Sequence, residues 1–106
     1  MKPGSIIGGR YQLVETVAEG GMSTLWKGVS RSSEIFSRPV AIKEMKRAFS
    51  AVQPYLEMFL EEARIGAELQ HPHLVQVIDF IIEAGPGGVS YCLVMEWIDG
   101  LDLRTL

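Results

Sequence analysis

The sequence predicts an α+β domain, with one five-stranded antiparallel sheet and one main helix. Several short stretches alternate between apolar and polar residues, which indicates strands, and one central stretch has helical periodicity. Glycine-containing turns separate the strands and give the order β-β-β-α-β-β. The chain has 106 residues, of which 47% are hydrophobic and 22% charged. It is therefore expected to fold, as one small domain or as a piece of a larger one.

The first two strands are predicted to form a hairpin. From Tyr11 to Val17 apolar and polar residues alternate, which is typical of a half-buried strand. The glycine-containing loop A-E-G-G-M-S follows, and T-L-W-K-G-V forms the second strand. Residues 1–10, which contain one proline and several glycines, are expected to form an N-terminal lead-in.

The remaining elements follow a polar connection. A third strand begins at Pro39, where a proline is tolerated, and a helix is predicted from Pro54 to Leu69. The sequence H-P-H ends that helix. Two strands follow, V-Q-V-I-D-F-I-I-E and V-S-Y-C-L-V-M-E-W-I, separated by the turn A-G-P-G-G. Residues 99–106 begin what is expected to be a second helix.

Charge and cysteine content exclude several classes of protein. The formal net charge of −3 argues against a nucleic-acid partner, because phosphate contacts require a basic surface. The single cysteine, Cys92, cannot form an internal disulfide. The sequence contains neither a signal-peptide pattern nor an apolar run long enough to cross a membrane. These features predict a cytoplasmic setting, with no membrane partner for these residues.

Two charged residues interrupt apolar surfaces. Lys43 lies in the strand P-V-A-I-K-E, where an unpaired ammonium would be costly. On a helical wheel at ~100° per residue, the other charged side chains of the helix fall together, but Glu62 lies within its wide apolar arc. The simplest explanation is that Lys43 and Glu62 face each other. An ordinary structural ion pair, or two side chains whose charged ends reach solvent, would explain the same pattern.

The surroundings of Lys43 are suited to a nucleotide. Strand alternation places Ala41 and Lys43 on one face, with Val40 and Ile42 on the other. A small residue followed by a cation can accept a flat ring with an anion beyond it. The glycine loop offers backbone N–H groups with little side-chain bulk, which favours close approach to phosphates. An ordinary hairpin turn accounts for the loop equally well.

The ordered combination of these features resembles the N-terminal lobe of eukaryotic-type protein kinases, especially the bacterial Ser/Thr kinases. V-A-I-K matches the family signature letter for letter at residues 40–43, and the resemblance extends from Tyr11 to the end of the chain. It implies a kinase-like N-lobe over residues 11–98, with the hinge at its end and the predicted helix as the C-helix. Residues 99–106 would then begin the C-lobe, before which the domain is truncated.

The resemblance also implies roles for individual residues. Lys43 would hold the ATP phosphates and pair with Glu62, as the two catalytic residues. Met95 would be the gatekeeper, Glu96 and Ile98 would bind the adenine edge through their backbone, and Asp102 would contact the ribose. The nucleotide-binding residues implied are Val17, Ala18, Glu19, Gly20, Gly21, Met22, Ser23, Thr24, Leu25, Ala41, Lys43, Met95, Glu96, Ile98 and Asp102. Within that set, residues 20–23 would cover the phosphates, and Val17, Leu25 and Ala41 would sandwich the adenine.

The chain departs from the family pattern in two ways. The loop G-x-G-x-x-G-x-V appears here as A-E-G-G-M-S-T-L, and the motifs H-R-D…N, D-F-G and A-P-E do not occur. Asp79-Phe80-Ile81 lacks the glycine of D-F-G. The 106 residues alone are therefore expected to be inactive, with the Mg²⁺ ligands beyond Leu106 and no metal ligand within the chain. His71 and His73 are interpreted as loop residues, since no further ligand completes a site with them.

Three hypotheses follow. The first is the ATP-binding lobe of a Ser/Thr protein kinase, with protein substrates and Mg·ATP as partners of the whole enzyme. The alternative is a pseudokinase lobe that senses nucleotide or binds proteins without turnover. The third is an unrelated α+β interaction domain with a structural ion pair. In the first two cases the surface that normally meets the C-lobe would be apolar and could support self-association; it includes Val17, Leu25, Met95 and Ile98.

Overall fold

The computed structural model describes residues 2–21, 23–31, 37–46, 52–68, 77–85 and 88–97, and in the helix it describes side chains as far as Glu61. These residues form an antiparallel sheet with one helix packed on it, which confirms the α+β class. The strands are β1 (Ile6–Ile7), β2 (Tyr11–Glu19), β3 (Ser23–Arg31), β4 (Ser37–Met45), β5 (Val77–Gly85) and β6 (Gly88–Glu96), and the helix α1 spans Gln53–Glu68. The strand order is β1-β2-β3-β4-β6-β5.

The sheet has six strands, and the prediction of five was wrong. The additional strand is β1, in which Ile6 and Ile7 pair with Gln12 and Tyr11. Gly8 and Gly9, with φ of 58° and 72°, turn the chain back in the left-handed region that glycine tolerates best. Burial of Ile7, which is only 2% exposed, stabilises this short strand against the sheet.

The two faces of the sheet have separate cores. The inner face, defined by Val40 and Ile42 of β4, carries a buried cluster that also contains Tyr11, Leu13, Trp26, Cys92 and Val94. The helix face, defined by Ala41, Lys43 and Met45, carries two smaller clusters. The predicted alternation along β4 is therefore confirmed.

Two bulges in β2 change which face its side chains occupy. The pairing with β3 shifts register between Leu13 and Glu15 and again between Thr16 and Ala18. Leu13 lies in the inner core, whereas Val17 packs with the helix-face residues. The expectation of one continuous alternation from Tyr11 to Val17 was therefore wrong, because the extra residue of a bulge reverses the side-chain order beyond it.

Helix α1 begins one residue before the predicted start and is described as far as Glu68, while Leu69, the predicted end, lies outside the described residues. Its first turn is anchored by Val52, whose carbonyl accepts hydrogen bonds from the backbone N–H groups of Tyr55 and Leu56. Phe59, 4% exposed, packs with Met45 and Leu93 of the sheet. The apolar arc is only partly used in the described turns, since some of its members are exposed: Tyr55, Met58 and Leu60.

Candidate functional site

Cross-strand pairing arranges the helix face in rows. Residues directly opposite each other in an antiparallel sheet lie on the same face. The first row runs from β2 to β5 through Glu15, Lys27, Ala41, Met95 and Val77. Ala41 lies at its centre and is completely buried. Because this side chain is small, the row has less side-chain bulk at Ala41 than at its neighbours, Lys27 on β3 and Met95 on β6.

An apolar cluster, here called the cleft cluster, surrounds Ala41. Its buried members are Leu25, Ala41 and Met95, and Val17, Ala18, Val77 and Trp97 pack against them. The structure thus brings together the three residues predicted to sandwich the adenine and the predicted gatekeeper. Such a cluster offers apolar contact to a flat aromatic ring, which is how most ligand sites gain affinity.

Lys43 lies in the next row, one step further from the connector that follows β6. This row contains Ala18, Leu25, Lys43, Leu93 and Phe80. Lys43 is the only charged residue in it and is half-buried. On one side it pairs with Leu25 of the cleft cluster, and on the other with Leu93, which contacts Phe59 of the helix cluster. Lys43 therefore lies between the cleft cluster and helix α1.

The proposed partner of Lys43 falls outside what the structure describes in full. Glu62 follows Phe59 by three residues in the backbone of α1, but its side chain is not among the described ones. The ion pair between Lys43 and Glu62 therefore stays a prediction. The packing of Phe59 against Leu93 does bring this part of the helix onto the row that contains Lys43.

The glycine loop forms the tip of the β2–β3 hairpin. The backbone N–H of Gly20 donates to the carbonyl of Ser23 at 2.8 Å, which closes the turn. Neither Gly20 nor Gly21 has a positive φ. A Cβ added at Gly21 would meet no atom of the described residues within 4 Å. The two glycines therefore keep the surface of the tip open, and their left-handed freedom is not used here.

An ion pair joins the last residue of β2, next to the hairpin tip, to Lys46, which follows β4. Lys46 Nζ lies 3.3 Å from Glu19 Oε1, with 71% of the Glu19 side chain exposed. A pair so exposed contributes little stability. Its position links the glycine loop to the strand that carries Lys43.

The connector after β6 supplies two features that the sequence analysis did not identify. Trp97 packs against the cleft cluster, and Lys27 Nζ lies 4.9 Å from the centre of its ring. Strand alternation puts Lys27 on the same face as Leu25, but nothing in the local sequence indicates its contact with a residue so distant in the chain. Glu96 is half-buried immediately before Trp97. Met22, Ile98 and Asp102 lie outside the described residues.

A separate cavity of about 180 Å³ lies beside the connector, lined in part by Tyr11, Val40 and Trp97. Because Tyr11 and Val40 belong to the inner core, this cavity lies on the inner face, and Trp97 contacts both it and the cleft cluster. Across the described residues there is no group of three His, Cys, Asp or Glu side chains that could hold a metal ion. The described helix is also too short and too polar to cross a membrane.

Comparison with known proteins identifies the family. The family model described as protein tyrosine and serine/threonine kinase matches residues 11–106. The chain therefore belongs to this kinase family. The matched segment includes the strands of the cleft cluster, Lys43 and helix α1.

Individual relatives agree with this assignment. A probable serine/threonine-protein kinase of Bifidobacterium longum, pknA2, is 38% identical, in a match that covers 97% of this chain and 13% of the relative. The serine/threonine-protein kinase PknA of Mycobacterium tuberculosis is 36% identical, over 97% of this chain and 23% of the relative. The tyrosine-protein kinase MasK of Myxococcus xanthus is 35% identical, over 92% of this chain and 14% of the relative. The chain thus spans less than a quarter of the length of each of these proteins.

Proposed function

We propose that these residues form the ATP-binding lobe of a Ser/Thr protein kinase. The observation that carries the proposal is the adjacency of two rows on the helix face. One row contains Ala41 in the cleft cluster, and the next contains the half-buried Lys43. An apolar cluster beside a cation matches the two chemical parts of ATP, a flat base and a polyanionic tail.

In this proposal the cleft cluster holds the adenine and excludes water from it. Lys43 binds the α- and β-phosphates, and Glu62 orients it. The backbone carbonyl of Glu96 and the N–H of Ile98 bind the adenine edge, and Asp102 contacts the ribose. The open tip at Gly21 lets backbone N–H groups approach the phosphates closely. Phosphoryl transfer depends mainly on such positioning and on charge stabilisation.

The transfer itself requires groups that this stretch of sequence does not contain. Mg²⁺, when bound, would supply charge neutralisation for the transfer of the γ-phosphoryl group to a protein hydroxyl. Since H-R-D and D-F-G do not occur in the 106 residues, we place the catalytic base and the Mg²⁺ ligands elsewhere in the whole protein. The names of the relatives PknA and pknA2 favour serine and threonine as acceptors.

The test is phosphoryl transfer from γ-labelled ATP by the full-length protein with Mg²⁺. Wild type should label protein on serine or threonine. Lys43→Met should lower the rate by at least about 100-fold, because it removes the cation proposed to bind the phosphates; each factor of ten corresponds to 1.36 kcal/mol of lost transition-state stabilisation. Lys2→Met is the matched control, since Lys2 is exposed in the N-terminal segment and outside the proposed site. It should retain activity.

The outcomes separate the hypotheses. A folded wild type that binds ATP without transferring phosphate would be a nucleotide-sensing pseudokinase. A folded wild type that neither binds nor transfers would contradict the nucleotide site itself. Label appearing on tyrosine would keep the site and change the acceptor.

A further inference from the structure

We infer that Lys27 is a positioning residue for the base half of the nucleotide site, acting through Trp97. The inference rests on the proposed function and extends it to a pair of residues outside the kinase signatures used above. Lys27 would not touch the phosphates. Its role would be to hold the aromatic ring of the connector against the cleft cluster.

The geometry carries this assignment. Lys27 lies directly opposite Ala41 and two residues after Leu25, so it shares the helix face with the cleft cluster. Its ammonium lies 4.9 Å from the centroid of the Trp97 ring, within the range of a cation–π contact. Both side chains are half-buried, which limits screening of this contact by water.

The contact reaches across the sheet. Lys27 belongs to β3, while Trp97 follows the last residue of β6, and β4 lies between these strands. The residue of β4 opposite Lys27 is Ala41, whose short side chain leaves room for the two longer ones to meet. The small residue thus lets Lys27 reach the connector.

Loss of the contact between Lys27 and Trp97 is expected to weaken binding of the adenine base and not binding of the phosphates. Trp97 lies between Glu96 and Ile98, whose backbone groups are proposed to bind the adenine edge. If the cation–π contact is lost, a smaller fraction of molecules holds the connector in the binding conformation, and the apparent dissociation constant rises in proportion. At a partly exposed site this amounts to about two- to fivefold.

The experiment measures dissociation constants of adenosine and of ATP by calorimetry with the full-length protein. Lys27→Met keeps most of the side-chain volume and removes the charge. It should raise the dissociation constants of adenosine and of ATP by the same factor of about two to five. Lys27→Arg should restore both affinities, because a guanidinium also stacks on an indole. Lys43→Met should weaken the binding of ATP and leave the binding of adenosine unchanged, since Lys43 is proposed to contact the phosphates alone.

A double-mutant cycle isolates the contact. In a Trp97→Leu background, Lys27→Met should have no further effect on adenosine affinity, because the ring that the ammonium contacts is gone. If Trp97→Leu lowers the melting temperature, Trp97→Phe replaces it, and the effect of Lys27→Met should shrink rather than vanish. Melting temperatures of all variants exclude misfolding as a cause.

The failures are distinguishable. Equal adenosine affinity in wild type and Lys27→Met would overturn the inference and leave the nucleotide site intact. Weakening of ATP alone by Lys27→Met would also overturn it, because Lys27 would then be a phosphate ligand. A folded wild type that binds neither adenosine nor ATP would overturn the proposed function itself.

Discussion

At the scale of single residues, Cys92 shows how burial in the inner core changes the pKa of an ionisable group. Its side chain is completely buried, opposite Glu44 on β4 and Ile81 on β5. Burial first, and then the nearby carboxylates of Glu44 and Glu83, raise the pKa of the Cys92 thiol from 9.0 to about 12. The thiolate is the reactive form of cysteine, so Cys92 is expected to be inert near neutral pH.

This pKa shift predicts a loss of stability at alkaline pH. Between pH 9.0 and about 12 the unfolded thiol releases its proton while the folded one keeps it, so stability falls as the pH rises and is unaffected below that range. At about pH 10.5 the loss is at most about 2 kcal/mol. Urea unfolding at about pH 8 and 10.5 should show a steeper decline for wild type than for Cys92→Ala. Equal declines would mean that the folded thiol ionises normally.

At the scale of elements, sequence patterns predicted what depends on local periodicity. The start of helix α1 was predicted to within one residue because Pro54 lies in its first turn. Strand β1 was not predicted, since two residues are too few to show alternation. The bulges of β2 could not be predicted either, because the residue inserted at a bulge, such as Val14, is of a type that is common in regular strands.

The same limit applies to the candidate site. The family signature led to Lys43 and Ala41, and the bulge explains how Val17 joins them on the helix face despite its spacing from Leu13. The contact between Lys27 and Trp97 could not be predicted, because it depends on the strand order β3-β4-β6. Sequence patterns are most informative along a strand, and this contact runs across the sheet.

Strand β1 provides a paired test of its contribution to stability. Ile7 is 2% exposed and Ile6 is 61% exposed, although they are neighbours of the same type. Ile7→Ala should lower the free energy of unfolding by about 2–4 kcal/mol, because it removes buried methyl groups and leaves a cavity. Ile6→Ala should change it by less than about 0.5 kcal/mol. Similar losses for both in urea unfolding would show that β1 is not packed on the inner core.

At the scale of the whole molecule, the sheet curls until its two ends are joined. Strands β1 and β5 are at opposite ends of the strand order. Even so, the backbone N–H of Gly8 donates to the Glu83 carboxylate, and the Tyr11 hydroxyl donates to Asp79 Oδ2 at 2.8 Å. These bonds close the inner core along the side where an open sheet would expose it. The helix face remains the one that carries the proposed nucleotide site.

The bond between Tyr11 and Asp79 tests this closure. Tyr11 is only 3% exposed, so Tyr11→Phe preserves its packing and removes one donor from a carboxylate that also accepts the N–H of Phe80. The expected loss of unfolding free energy is about 1.5–3 kcal/mol, the usual range for a hydrogen bond to a charged group. Tyr91→Phe is the control, because the Tyr91 ring stacks on Phe80 and its hydroxyl makes no hydrogen bond to a described residue.

Asp79→Asn completes a double-mutant cycle for the closure. If the two residues act through their hydrogen bond, the loss caused by Tyr11→Phe should be smaller in the Asp79→Asn background, where the acceptor is uncharged. Additive losses would indicate that the Tyr11 hydroxyl stabilises the protein through some other partner. ATP affinity should stay within about twofold of wild type in each variant, because the closure belongs to the inner face and the proposed nucleotide site to the helix face. A large loss of ATP affinity with unchanged stability would show that the two faces are coupled through the sheet.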